Sequence, residues 1–110
     1  MHEQALRKSN MDKSVQTEIE AAVFRRLITH LDEHKDVQNI ELMILADFCR
    51  NCLAKWYSKA AAERGEEVDY DEARRVVYKM PYSEWKEKHQ LPATEEQLAA
   101  FNAKQEAKKA

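Results

Sequence analysis

The sequence predicts an all-α fold, a compact single-domain bundle of about four to five helices packed around one long central helix. Three features of the chain support this. A single Gly and two Pro in 110 residues leave few turn formers, while Ala, Glu, Lys, Arg and Leu, which cost least in a helix, are abundant. Alternating β-branched and polar runs bounded by Gly-rich turns, which a sheet requires, do not occur. A Thr or Asp followed three residues on by Glu or Gln recurs ahead of apolar stretches, the pattern of a helix N-terminus whose end residues satisfy each other's free backbone donors.

Residues 1–13 carry Leu6, Met1 and Met11 as their sizeable apolar side chains and are expected to form a flexible N-terminal arm. The helical domain is expected over residues 14–103. Its first helix is placed from Thr17 to His34, with Thr17 and Glu20 as a capping box. Ala21, Val23, Phe24, Leu27, Ile28 and Leu31 share one face, and Glu18, Arg25, Arg26, Thr29 and Glu33 point away. Lys35 to Asn39 is a short link, in which Asp36 or Asn39 is available to cap the next helix.

Ile40 to Arg64 reads as the central rod. Nothing inside it breaks a helix. At about 100° per residue, Leu42, Leu45, Ala46, Phe48, Cys49, Cys52, Leu53, Trp56, Tyr57 and Ala60 cover about half of its circumference, wider than a surface stripe. Gly65 ends it in a role that needs left-handed backbone. Asp69 and Glu72 open a helix running to Met80, whose inner face is Tyr70, Ala73, Val76, Val77 and Met80. Pro81 stops that helix and suits the first position of the next, Tyr82 to His89, which shows Tyr82 and Trp85 on one side. Leu91 and Pro92 break the chain again. Thr94 and Gln97 start a last helix with Leu98 and Phe101 as its apolar edge; helicity is expected to fade from Asn102 into a solvated tail over residues 104–110.

The formal charge is −2, with 18 basic and 20 acidic side chains interspersed. That balance argues against a nucleic-acid or anionic-membrane surface, and the Arg25-Arg26 and Arg74-Arg75 pairs are too isolated to change it. No apolar run approaches the roughly 20 residues of a membrane span, and the first dozen residues hold no signal-peptide core. The expected location is cytoplasmic, where the two cysteines stay reduced.

Cys49 and Cys52 are the first candidates for chemistry, because their spacing puts both sulfurs on one helical face. His30 and His34, one turn apart in the preceding helix, would complete a Cys₂His₂ zinc set if the two helices meet there. Against this stands the bland reading, in which both thiols sit in the middle of the apolar half-circle as small hydrophobes. A thioredoxin-like role is disfavoured, since Cys49 falls about nine residues beyond the expected start of the rod, out of reach of its dipole. A second group, Asp36, Gln38, Asn39, Arg50, Asn51 and Tyr82, is the candidate binding surface, set against a solvated face with local capping. Trp56 and Trp85 are assigned to the core, where an indole finishes a small bundle and its N–H finds a polar partner at the rim. No Ser-His-Asp order, phosphate-binding glycines, HExxH or paired carboxylates can be assembled.

Certain blocks together resemble a family of short bacterial proteins, domain of unknown function 1244. They are Ala22-Val23-Phe24-Arg25-Arg26-Leu27, His30-Leu31, Asp36-Val37-Gln38-Asn39-Ile40, Phe48-Cys49-Arg50-Asn51-Cys52-Leu53, Trp56-Tyr57, Met80-Pro81-Tyr82 and Glu84-Trp85. The resemblance runs from about Glu20 to Phe101 and implies a compact all-helical fold. It brings no activity, cofactor or catalytic residue; the cysteine pair belongs to its blocks and His34 does not.

The function expected from the residues is that of a non-enzymatic module that binds a protein partner, including a second copy of itself as a homodimer, without a cofactor. The alternative is a metal- or thiol-dependent enzyme, with zinc as its cofactor, that uses Cys49 and Cys52 together with His30.

Overall fold

A computed structural model describes residues 11–109. Among the described residues there are six helices and no strand: α1 (Lys13–Asp32), α2 (Asn39–Ala46), α3 (Arg50–Ala62), α4 (Tyr70–Tyr78), α5 (Tyr82–His89) and α6 (Glu95–Lys109). They fall into two compact units, the first closing at His30 and the second running from Leu31. Most of the expected N-terminal arm, residues 1–10, lies outside the described residues. No helix of the described chain is long and apolar enough to cross a membrane.

α1 starts four residues earlier than the Thr17 box placed it. Asp12 caps it, its carboxylate accepting from the Ser14 N–H at 3.1 Å and its carbonyl from the Gln16 N–H at 3.0 Å. Thr17 lies inside the helix and donates its hydroxyl back to the Lys13 carbonyl, a bond that a Thr makes readily in mid-helix. The helix stops at Asp32, and turns lead to α2.

The continuous rod from Ile40 to Arg64 is not formed. The chain breaks at Asp47, which takes left-handed backbone at φ 64° and returns its N–H to the Met43 carbonyl at 3.0 Å. Cys49 is extended and becomes the N-cap of α3. Asp, with Asn, is among the few non-glycine residues that enter this region at modest cost. The C-terminus of α2 is then closed from a distance. Lys104 of α6 donates to the carbonyls of Met43 and Ile44 at 3.2 and 2.7 Å, and Lys108 pairs with the Asp47 carboxylate. Cations at a helix C-terminus satisfy its orphan carbonyls and its dipole. For the same reason α6 runs on to Lys109, where a fading tail was expected.

The remaining boundaries follow local chemistry. Gln38, rather than Asp36 or Asn39, stands at the N-cap of α2, and its N–H donates to the Glu41 carboxylate at 2.7 Å. Gly65 sits at φ 80°, where a Cβ would be strained. The loop after it is tied down by the Ser58 hydroxyl donating to the Val68 carbonyl. Asp69 accepts from the Glu72 N–H at 2.8 Å to open α4. That helix ends in left-handed Lys79, and Pro81 stands at the N-cap of α5, one place before the position expected of it. Thr94 and Gln97 form the reciprocal box that opens α6, at 2.9 and 3.0 Å.

In the second unit α3 packs on α4, α4 on α5, and α2 on α6. The core is Leu53 and Ala54 of α3, Ala73, Val77 and Tyr78 of α4, and Trp85 of α5. Trp85 is a core residue, as expected, at 1% exposure. Trp56 is not: it is 57% exposed.

Candidate functional site

The candidate binding residues converge, but around a buried cation. Arg50, the first residue of α3, is 1% exposed. Its guanidinium donates to the carbonyls of Val37 at 2.7 Å and His34 at 3.0 Å and to the Asn39 side-chain oxygen at 3.0 Å. The face of Trp85 lies 4.9 Å from its central carbon. Carbonyl dipoles and an aromatic quadrupole thus supply what a carboxylate would otherwise supply to a buried charge. Burial still holds the guanidinium below its ordinary value.

Asn39 extends this hub. Its amide donates to the Tyr78 hydroxyl at 3.0 Å, and that hydroxyl donates onward to Asn51 at 2.7 Å. Burial pushes the Tyr78 phenol far up, because the phenolate would lose its water. Gln38 is the second anchor. Its amide donates to the carbonyls of Asp36 and His89, both at 3.1 Å, and its oxygen accepts from the Leu91 N–H at 2.9 Å. One side chain therefore fastens the segment ahead of α2 to the end of α5. The Asp36 side chain is exposed; its carbonyl accepts from Gln38, and its carboxylate acts on the Arg50 charge without a hydrogen bond.

Beside the hub is a cleft of about 220 Å³, lined by Gln38, Asn39, Asn51, Tyr82 and Gln90 on its polar side and by Leu91 and Pro92. Tyr82 donates to Gln90 at 3.3 Å. These groups are amides and one phenol, able to hydrogen-bond a neutral polar ligand. On its other side Tyr82 faces a second cleft, of about 290 Å³, with Asp71, Arg74, Arg75 and Ser83. Here the Arg74 guanidinium lies between the rings of Tyr70 and Tyr82, at 4.2 and 4.1 Å, and pairs with Asp71. Its Nε is buried without a hydrogen-bond partner among the described residues.

The break at Asp47 changes the setting of the cysteines. Cys49 at the N-cap and Cys52 in the first turn of α3 stand at a helix N-terminus, not in mid-rod, so the dipole objection to their reactivity no longer applies. Their sulfurs are 4.0 Å apart, and the Cys52 sulfur is also 4.0 Å from the thioether of Met43. Cys49 is buried and Cys52 half-buried, both free thiols. Burial pushes the Cys49 thiol up, outweighing the backbone amides of Cys52 and Asn51 that favour its thiolate. His30 and His34 do not join them: no three His, Cys, Asp or Glu side chains among the described residues come together as a metal site.

Tyr78, Met43 and Arg74 were not among the site residues expected. Tyr78 reads as one more aromatic of α4, and Met43 is nine residues from Cys52, too far to meet it while the rod is continuous. Asp47 carried the available signal, as one of the two residues in that stretch, with Asn51, that turn left-handed at modest cost.

Residues 37–103, more than half of the chain, match the model of one protein family, described as a protein of unknown function and designated DUF1244. The matched span holds Arg50, both clefts and the three sulfurs, and leaves α1 and the His34 carbonyl outside it. No curated protein matches the chain.

Proposed function

The chain belongs to the DUF1244 family, and from that premise we propose that its domain is a cytoplasmic self-association module, a homodimer joined through the apolar surface of α2. The observation that carries this reading is α2 itself. The helix Asn-Ile-Glu-Leu-Met-Ile-Leu-Ala is apolar except for Asn39 and Glu41, yet none of its residues is buried. Leu45 is 81% exposed, and just past the break Phe48 stacks on exposed Trp56, ring centres 6.3 Å apart. A helix of this composition normally lies inside a core. Exposed apolar patches rimmed by polar groups mark surfaces that another protein covers.

A second copy is the occupant that the chain's own charge permits, since a net charge of −2 opposes self-association only weakly. In the first unit α1 carries a row of its own, exposed Val15, Ile19 and Val23 at four-residue spacing, which fits the same habit. Size-exclusion chromatography with light scattering across a concentration series tests the reading. The expected result is a dimer that Leu45→Glu converts to monomer with its helicity intact. A wild-type chain that stays monomeric at every concentration overturns it.

A further inference from the structure

We propose that Met43, Cys49 and Cys52 form a binding site for a soft monovalent metal ion, Cu(I) in chemical class, held by two thiolates and one thioether. This goes beyond the association reading and does not depend on it. The sulfurs come from both sides of the Asp47 break, Met43 from α2 and the cysteines from the first turn of α3. Cys52 Sγ stands 4.0 Å from each of the other two. Three metal–sulfur bonds of about 2.3 Å at the angles of a plane trigonal ion would put neighbouring sulfurs about 4.0 Å apart. The two sulfur–sulfur edges that meet at Cys52 therefore stand at that spacing before any metal arrives.

Ligand softness selects the ion. Thiolate and thioether donors favour Cu(I), whereas a structural zinc takes four tetrahedral donors drawn from thiolate, imidazole and carboxylate. The described His, Cys, Asp and Glu side chains supply no group of three for zinc. Binding releases one proton from each thiol to solvent, leaving two thiolates around one monovalent cation. The excess negative charge faces the N-terminus of α3 and the buried Arg50 guanidinium next in the chain, both favourable to an anion. Half-buried Cys52 gives the ion a way in, and buried Cys49 shields it from water.

The test titrates the reduced full-length chain with Cu(I) against a chromogenic Cu(I) chelator, with Ag(I) as a redox-inert second probe and X-ray absorption on the copper form. One ion per chain, with a first shell of three sulfurs, is expected. Met43→Leu keeps the volume of the side chain and should fold normally. It should weaken Cu(I) by at least about tenfold, the least that losing even an outer-shell partner costs, and reduce the shell to two sulfurs. Cys49→Ala and Cys52→Ala should abolish stoichiometric binding; should either fail to fold, Met43→Leu alone decides. Substoichiometric copper, wild-type affinity in Met43→Leu, or a nitrogen or oxygen donor in place of the third sulfur overturns the site.

Discussion

Leu45 and Arg50 stand five residues apart on either side of the Asp47 turn, and their exposures are inverted. The aliphatic side chain is 81% exposed and the cation 1%. The pair shows that burial follows satisfied partners, not polarity by itself. Arg50 can leave water because two carbonyl oxygens, an amide oxygen and an indole face meet its guanidinium. Leu45 stays in water although α6 packs on α2 and its Lys104 closes the last carbonyls of that helix. One region is a closed polar core and the other an open apolar surface.

The largest effect is expected at the closed end. Arg50→Ala removes three charge-assisted hydrogen bonds, worth about 1.5–3 kcal/mol each, while the His34 carbonyl keeps the Val37 N–H and the Asn39 oxygen keeps the backbone N–H of residue 50. A loss of roughly 3–5 kcal/mol in urea unfolding is expected, enough to unfold a marginal domain. Arg50→Lys keeps the charge but not the planar fork, and should recover less than half. Full stability in either variant would break the contrast, since Arg50 would then be buried without being needed. Tyr78→Phe comes next, at about 1–3 kcal/mol, because it leaves the Asn39 amide and the Asn51 oxygen unpaired.

Alkaline pH sharpens the same region more gently. The Cys49 thiol and the Tyr78 phenol are both pushed up by burial. Below their unfolded values, about 8.5 and 10, both are neutral in either state and their contribution is complete. Above those values the unfolded chain releases protons that the folded chain keeps, so stability falls as pH climbs toward the folded values. Tm should be level through neutrality and decline from about pH 8.5 upward, and Tyr78→Phe should flatten the part above about pH 10. A Tm that rises over that range would mean the two groups ionise more readily folded than unfolded. The smallest effect belongs to the open region. Leu45→Glu should leave monomer stability within about 0.5 kcal/mol, as exposed substitutions do, while abolishing association. A large loss in the monomer would show that Leu45 is part of the core after all.

Legibility in the sequence followed how local the governing interaction was. The Thr94–Gln97 box and the Asp69 cap span three residues, and their helix starts were readable from residue types alone. The stop at Gly65 and the burial of Trp85 were readable too. Thr17 and Glu20 show the same signature in mid-helix, because Asp12 offered an earlier cap and the pattern does not say which candidate wins. Trp56 was assigned to the core on its place in a rod that does not exist. Gln38, Asn39, Arg50, Asn51 and Tyr82 were picked out as one polar group, but their assignment to a surface missed the acceptors that let Arg50 go inside.

Composition and periodicity were sufficient to determine that this chain is helical and roughly where most of its helices begin. Those properties rest on backbone propensity and on contacts within one turn. Tertiary structure alone decided that the middle rod divides at Asp47, that Cys52 meets Met43 and that a cation lies at the centre. Each of these depends on partners brought from elsewhere in the chain, Lys104 and Lys108 at the turn and Trp85 beneath the guanidinium. The free energy of such contacts is comparable to the cost of one left-handed residue, so a linear pattern cannot say which of the two prevails.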